Sequence, residues 1–415
     1  MRAGLIFLFI ILISSCQTQR QVIVESELID ISEKEVEESS VSHSKEDKIL
    51  LILNGMSLKE KIGQLFILDL KDNNNSYYTE INDNLKEYIE EYKPGGVILF
   101  SDNIDSNQQV KKIIRDLQSL LGIPLFVAVD QEGGRVSRLN SSNNMKVLEI
   151  PSHEVLGKLN DAEITWQIGK IIGEELKDLG FNMNLAPVAD INSNYKNPVL
   201  GDRSFSENTE IVSTMVEAFV QGLQESGVCS VIKHFPGHGA TDTDPHNGEV
   251  SINLSLSEIR NRELLPFKAG IDRGAVGVMT AHIKTPQIIE TADLPATLSS
   301  FFINDILRNE MGFNGLVISD SFSMAAIKNF WLPEDSSREF ILAGGDMILR
   351  PSDIKAAMDG IMKAIDNGTL TVDRINKSVF RILSAKYQFG LFSDYLTSGD
   401  LDLKEKQLFL DKLFL

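Results

Sequence analysis

From about residue 49 the chain alternates between two patterns. Short runs that are apolar on both faces occupy 64–68, 97–100, 125–129, 182–188, 229–234, 276–282, 316–319 and 347–349. Gly or Pro bounds many of them, which marks them as strands rather than pieces of buried helix. Their starts lie 28 to 57 residues apart, enough each time for a crossover helix. Between them, 163–179 and 209–225 are amphipathic at helical period, and 257–272 opens as a helix should. Strands apolar on both faces suit a parallel sheet covered on both sides. Eight strand–helix units predict an α/β fold, a (β/α)8 TIM-type barrel forming a single catalytic domain over 49–395. An open doubly wound sheet is the alternative. Against it, no Gly-rich phosphate fingerprint follows the first run, and no G-x-x-x-x-G-K-[ST] occurs anywhere.

The flanks read differently. Met1-Arg2, the apolar run from Leu5 to Ile13 and the small residues Ser14-Ser15 form a secretory signal pattern. The cysteine that follows resembles a bacterial lipoprotein signal over 1–16, in which Cys16 carries the lipid. The expectation is an exported chain attached to a membrane through that anchor alone; a plain signal or short anchor with an incidental cysteine is the alternative. Residues 17–48 read as an acidic tether. Between Gln21 and Lys48 there are nine acids against three lysines and no aromatic residue, a composition unable to bury enough surface to order itself. Residues 396–415 form a C-terminal tail that could add a helix.

Charge and cysteine count narrow the function classes. Forty basic against 59 acidic residues give a net charge of −19, which argues against a nucleic-acid partner because phosphates need a basic face. Two cysteines cannot form a disulfide framework. With Cys16 assigned to the anchor, Cys229 is left as a buried small hydrophobe.

In a barrel, chemistry sits at the C-terminal ends of strands, and several runs end in ionisable residues: Asp130, Lys233-His234, His282 and Asp320. One such carboxylate is most simply a helix cap; four runs ending this way are harder to dismiss. The densest cluster follows the fifth run. Pro236, Gly237 and Gly239 forbid a regular helix there, so a long loop carries Asp244 and His246. Two apart in extended backbone, those side chains share a side, and Pro245 biases Asp244 towards extension. A carboxylate beside imidazole fixes its tautomer and makes a usable acid and base. A metal site is the competing reading of the same loop. Asp320 could attack an electrophilic carbon from the opposite side. Asp130, Glu132, Arg135 and Arg138 surround a Gly-Gly turn and suit bidentate contacts to sugar hydroxyls, with a structural ion pair as the alternative for Glu132 and Arg135. Arg203 adds a further guanidinium after the fourth run.

Seven stretches together resemble family 3 glycoside hydrolases, in the single-domain β-N-acetylglucosaminidase branch. They are MSLKEKIGQLF (56–66), PGGVILF (94–100), DQEGGRVSR (130–138), LAPVAD (185–190), KHFPGHG (233–239), VMTAH (278–282) and SD (319–320). The resemblance implies Asp320 as nucleophile and His246 as acid/base assisted by Asp244. It implies that Asp130, Arg138, Arg203, Lys233 and His234 hold a terminal N-acetylglucosamine, with no cofactor or metal. A retaining reaction on peptidoglycan fragments or chitooligosaccharides follows. A phosphorylase, a β-glucosidase and a non-catalytic sugar-binding lipoprotein are the alternatives. Two departures from the family pattern stand out: Ala240 where aspartate is frequent, and Pro245 where serine is usual. On this reading Asp320 must open onto a cleft.

Overall fold

The computed structural model describes residues 45–392 except 73, 195, 198, 242–247, 292 and 293. The expected lipidation site Cys16, most of the acidic tether, the dyad Asp244/His246 with Pro245, and the tail 396–415 therefore lie outside the described residues. The first described helix, Lys45–Gly55, starts at Lys45 rather than at 49, so the last tether positions belong to the folded body.

Eight parallel strands make the central sheet: β1 (Phe66–Asp69), β2 (Gly96–Ile98), β3 (Phe126–Val129), β4 (Met183–Asn184), β5 (Cys229–Phe235), β6 (Gly277–Thr280), β7 (Leu316–Ser319) and β8 (Ile348–Leu349). Each lies on one of the eight apolar runs, with its edges shifted slightly. Their order is β7-β6-β5-β4-β3-β2-β1-β8. A parallel bridge between Ile318 and Met347 joins the two ends. There Ser319 N donates to Met347 O at 2.9 Å and Met347 N to Val317 O at 3.1 Å. The sheet thus closes into a (β/α)8 barrel, and closure removes both exposed edges. Almost every strand side chain is buried, because the interior and the helical ring each cover one face.

The amphipathic segments form Ala162–Leu179 and Thr209–Glu225, whose free N–H groups are capped by Asp161 and Asn208. The segment opening at 256 is capped by Ser255 with Glu258, but Ile259–Glu263 widens to a π-helical turn before the α-helix Leu264–Asp272.

The N-terminal end of the barrel is sealed by charge. Asp346, wholly buried just before β8, accepts from Arg308 (2.5 Å), Val317 N (3.0 Å), Ser378 Oγ (2.5 Å) and Arg381 (3.1 Å). Burial alone would raise its pKa, but the arginines overcome that and hold it below the ordinary value. The buried Lys386 Nζ donates to Gln64 Oε1 at 2.8 Å, and burial lowers its pKa well below normal.

Candidate active site

The opposite end of the barrel holds a cavity of about 420 Å3, lined by residues in the C-terminal parts of β2 to β8 and in the loops that follow. Ile98, Leu185, Met279 and Leu349 form its apolar floor, and charged side chains form its walls. Asp130, Arg138, Arg203, Lys233, His234 and Asp320, expected from sequence, all line it. Six positions scattered over nearly 200 residues thus converge on one hollow, as barrel topology requires.

Lys233 and His234 are consecutive, yet both face the cavity. A regular strand sends neighbours to opposite faces. The register of β5 against β6 shifts between Ile232 and Phe235, and such a bulge re-aims side chains at a barrel rim. Beyond it, Gly237 has φ +125°, a conformation closed to ordinary side chains. A Cβ at Gly239 would lie 1.6 Å from Ile191 O, so only glycine lets this loop press against the one after β4.

The wall between β3 and β5 is an ion-pair lattice. Lys233 Nζ lies 2.7 Å from both Asp130 Oδ1 and Glu132 Oε1. Arg203 grips Glu132 bidentately, with Nε and Nη2 each at 2.8 Å. Lys233 and Glu132 are only 2% and 1% exposed. Burial would keep Glu132 protonated, but Arg203 and Lys233 outweigh it and hold the carboxyl well below the usual range. The same carboxylate raises the Arg203 pKa despite burial. Glu132 is thus the charge that orders two cavity cations. Arg135, its neighbour in the loop, instead pairs with Asp202 at 2.8 Å and binds the carbonyls of Val199 and Leu200. It clamps the next loop and does not line the cavity.

Asp190, wholly buried, accepts His234 Nδ1–H at 2.7 Å and the backbone N–H groups of His234 (3.1 Å) and His238 (2.7 Å). That bond puts a proton on Nδ1 and fixes the orientation of the His234 ring. Burial opposes the Asp190 charge, but the adjacent imidazoles hold its pKa below normal. His238 also lines the cavity; burial lowers its pKa to about 4, so the ring is neutral. Sequence reading assigned Asp190 no role, although it too is an ionisable residue after a strand.

Asp320 follows β7 and is half-buried, open to the cavity. Its Oδ1 accepts Ser321 N–H at 2.7 Å, and His282 Nε2 donates to Ser321 O at 3.0 Å, steadying that turn. Burial would raise the Asp320 pKa; His234, His282 and the Ser321 amide reverse that and lower it. At neutral pH the group is a carboxylate with one oxygen held and, among the described residues, one available.

A closed parallel barrel with such a carboxylate over an apolar floor and an ion-paired wall is a pocket built for a polar substrate, and the chain matches a known family. The model of the glycosyl hydrolase family 3 N-terminal domain matches residues 57–385, so the chain belongs to glycosyl hydrolase family 3. It is 35% identical over 338 residues to beta-hexosaminidase A of Pseudoalteromonas piscicida, covering 74% of this chain and 56% of that protein. The chain thus spans little more than half of that relative's length. Beta-hexosaminidase of Nitrosomonas eutropha is 35% identical over 269 residues, 63% of this chain and 75% of its own. Among solved structures, a family 3 beta-N-acetylglucosaminidase from a Paenibacillus species superposes with a TM-score of 0.77 at 36% identity. It covers 86% of this chain and 68% of its own.

Proposed function

We propose that the protein is a retaining β-N-acetylhexosaminidase that removes terminal N-acetylglucosamine from β-linked glycans. The observation that carries this reading is Asp320: a carboxylate kept ionised, with one oxygen free among the described residues, in a cavity whose wall is a lattice of ion-paired polar groups. The names of the relatives point to the same substrate class.

An Asp320 oxygen bonds to the anomeric carbon as the bond from that carbon to the leaving oxygen breaks. His246, protonated and oriented by Asp244, gives its proton to that oxygen. Water then attacks the anomeric carbon, His246 takes its proton, and Asp320 departs as carboxylate. Asp130, Arg138, Arg203, Lys233 and His234 hold the terminal sugar, the lattice keeping their donors aimed before substrate arrives. A lipid on Cys16 would place this chemistry at a bacterial membrane outside the cytoplasm, within reach of envelope glycans. Loss of membrane association in Cys16→Ala tests that location.

The activity is tested by hydrolysis of nitrophenyl β-N-acetylglucosaminide beside the matching glucoside, with and without phosphate. The expected result is free N-acetylglucosamine at a rate phosphate does not raise, with the glucoside much slower. Sugar 1-phosphate, or a faster glucoside, would overturn the reading.

A further inference from the structure

Asn197 stands in the loop that leads from β4 to Arg203, and the sequence reading gave it no role. It is buried, 6% exposed, and its carboxamide faces two ways. Oδ1 accepts the backbone N–H groups of Val199 (2.9 Å) and Leu200 (3.0 Å). Nδ2 donates across to the loop after β5, to His238 O (2.9 Å) and Thr241 Oγ1 (3.0 Å). Two amide donors on one side and a carbonyl on the other decide which end of the side chain is oxygen. Every side-chain hydrogen bond of Asn197 among the described residues goes to one of these two loops, none to a strand or helix of the barrel.

Both loops carry cavity residues. On the oxygen side, Leu200 O accepts Arg203 N–H at 2.8 Å, and Val199 and Arg203 line the cavity. Arg135 clamps the carbonyls of Val199 and Leu200 from outside. On the nitrogen side, Thr241 Oγ1 lies 3.0 Å from Nδ1 of His238, whose ring is on the cavity lining. Asn194 adds a second tie, its Nδ2 donating to Thr241 O at 3.0 Å. Thr241, wholly buried, stands three residues before Asp244 and five before His246. The two asparagines therefore anchor the chain at the last described position before the expected acid/base.

Few side chains could take this place. Aspartate has the same shape and keeps an oxygen for the two amides, but it offers acceptors only, so His238 O would face a lone pair. Alanine loses both sides. The stake is geometric, because a misplacement of about 1 Å caused far from the chemistry can cost about 10^2-fold in rate.

We propose that Asn197 is a positioning residue for the acid step. It ties the loop that bears Arg203, which holds the sugar, to the loop that bears His246, and so sets the proton donor relative to the bound sugar. This rests on the proposed function, in which His246 gives its proton to the leaving oxygen.

The test measures kcat/KM on two β-N-acetylglucosaminides in wild type, Asn197→Asp, Asn197→Ala and His246→Ala. One substrate releases dinitrophenolate, which departs without a proton; the other is the N-acetylglucosamine disaccharide, whose leaving oxygen needs one. His246→Ala should lower the disaccharide-to-aryl ratio about 10^2-fold or more. N197D and N197A should each lower it at least about tenfold, with N197D staying nearer wild type on the aryl substrate because it keeps the oxygen side. Each ratio comes from a single preparation, so partial misfolding cancels. Equal losses on both substrates in N197D and N197A, beside a lowered ratio in His246→Ala, would mean that Asn197 supports only the sugar-holding loop, and would overturn this inference alone. A ratio unmoved in His246→Ala as well would remove the acid assignment and this inference with it. Wild-type release of N-acetylglucosamine from both substrates reports separately on the activity.

Discussion

The two ends of the barrel each carry a buried-edge aspartate, and they differ in how fully it is satisfied. Asp346 at the closed end accepts four hydrogen bonds, from two arginines, a hydroxyl and an amide. Asp320 at the open end accepts one among the described residues, from the Ser321 amide. Both are held below the ordinary carboxylate pKa, so ionisation does not separate them. Spare hydrogen-bonding capacity does. A carboxylate with every lone pair engaged holds structure together, whereas one with a free oxygen facing a cavity can react. The same contrast sorts the arginines: Arg308 is spent on Asp346 and the carbonyls of Phe313 and Gly315, while Arg350 on the cavity lining keeps two nitrogens open among the described residues.

Exchange of roles between the ends would break this comparison, and the largest effect expected is on Asp320. Asp320→Asn should lower kcat at least about 10^3-fold, since it removes the nucleophile, with a thermal midpoint close to wild type. Asp346→Asn should do the reverse, destabilising by about 3–5 kcal/mol in denaturant titration because Arg308 and Arg381 lose their buried partner. A stable Asp346 variant with low kcat would undo the assignment of the two ends. Glu132→Gln should fall between them, weakening stability and raising KM together, because it strands Lys233 and Arg203. Gly239→Ala is expected to cost about 1–3 kcal/mol by overpacking against Ile191, visible as a lowered melting temperature.

The last effect expected is a graded one with pH. Burial lowers His153 and His238 to about 4. Between their unfolded value of about 6.5 and pH 4 the unfolded chain binds protons that the native chain refuses, so stability falls as pH drops. The slope approaches about 1.4 kcal/mol per pH unit for each histidine. Glu132, Asp190, Asp320 and Asp346 have lowered pKa values. Their contribution is present above about pH 4 and is lost only as pH falls through their native values. Denaturant midpoints measured from pH 8 to 4 should therefore decline before these four carboxylates titrate. A flat profile over pH 6.5–4.5 would show that neither imidazole is buried neutral.

The barrel was legible because parallel strands covered on both faces write themselves as uninterrupted apolar runs, and all eight were found this way. Asp130, Lys233, His234 and Asp320 were legible because an ionisable residue ending such a run has one place to go. Glu132 and Arg135 were not separable by spacing. A register shift in the hairpin Gln131–Gly133 with Val136–Ser137 turns one inward and leaves the other on the next loop. Asp190 was hidden because β4 ends at Asn184 and irregular backbone carries the chain on to it. Arg350 was hidden because its position depends on a positive φ that no composition signals. The π-turn at Ile259–Glu263 was equally silent, since its side chains have ordinary helical character. Ala240, one of the two departures from the family pattern, packs against the apolar core.

Cys229 opens β5 at the closed end, wholly buried, and burial raises its thiol pKa well above normal. A thiolate is what reacts with alkylating reagents, so this sulfur stays silent while the barrel is shut. Modification of the Cys229 peptide, followed over time by mass spectrometry, therefore clocks how often the barrel comes apart. It does so without a fluorophore or an engineered probe.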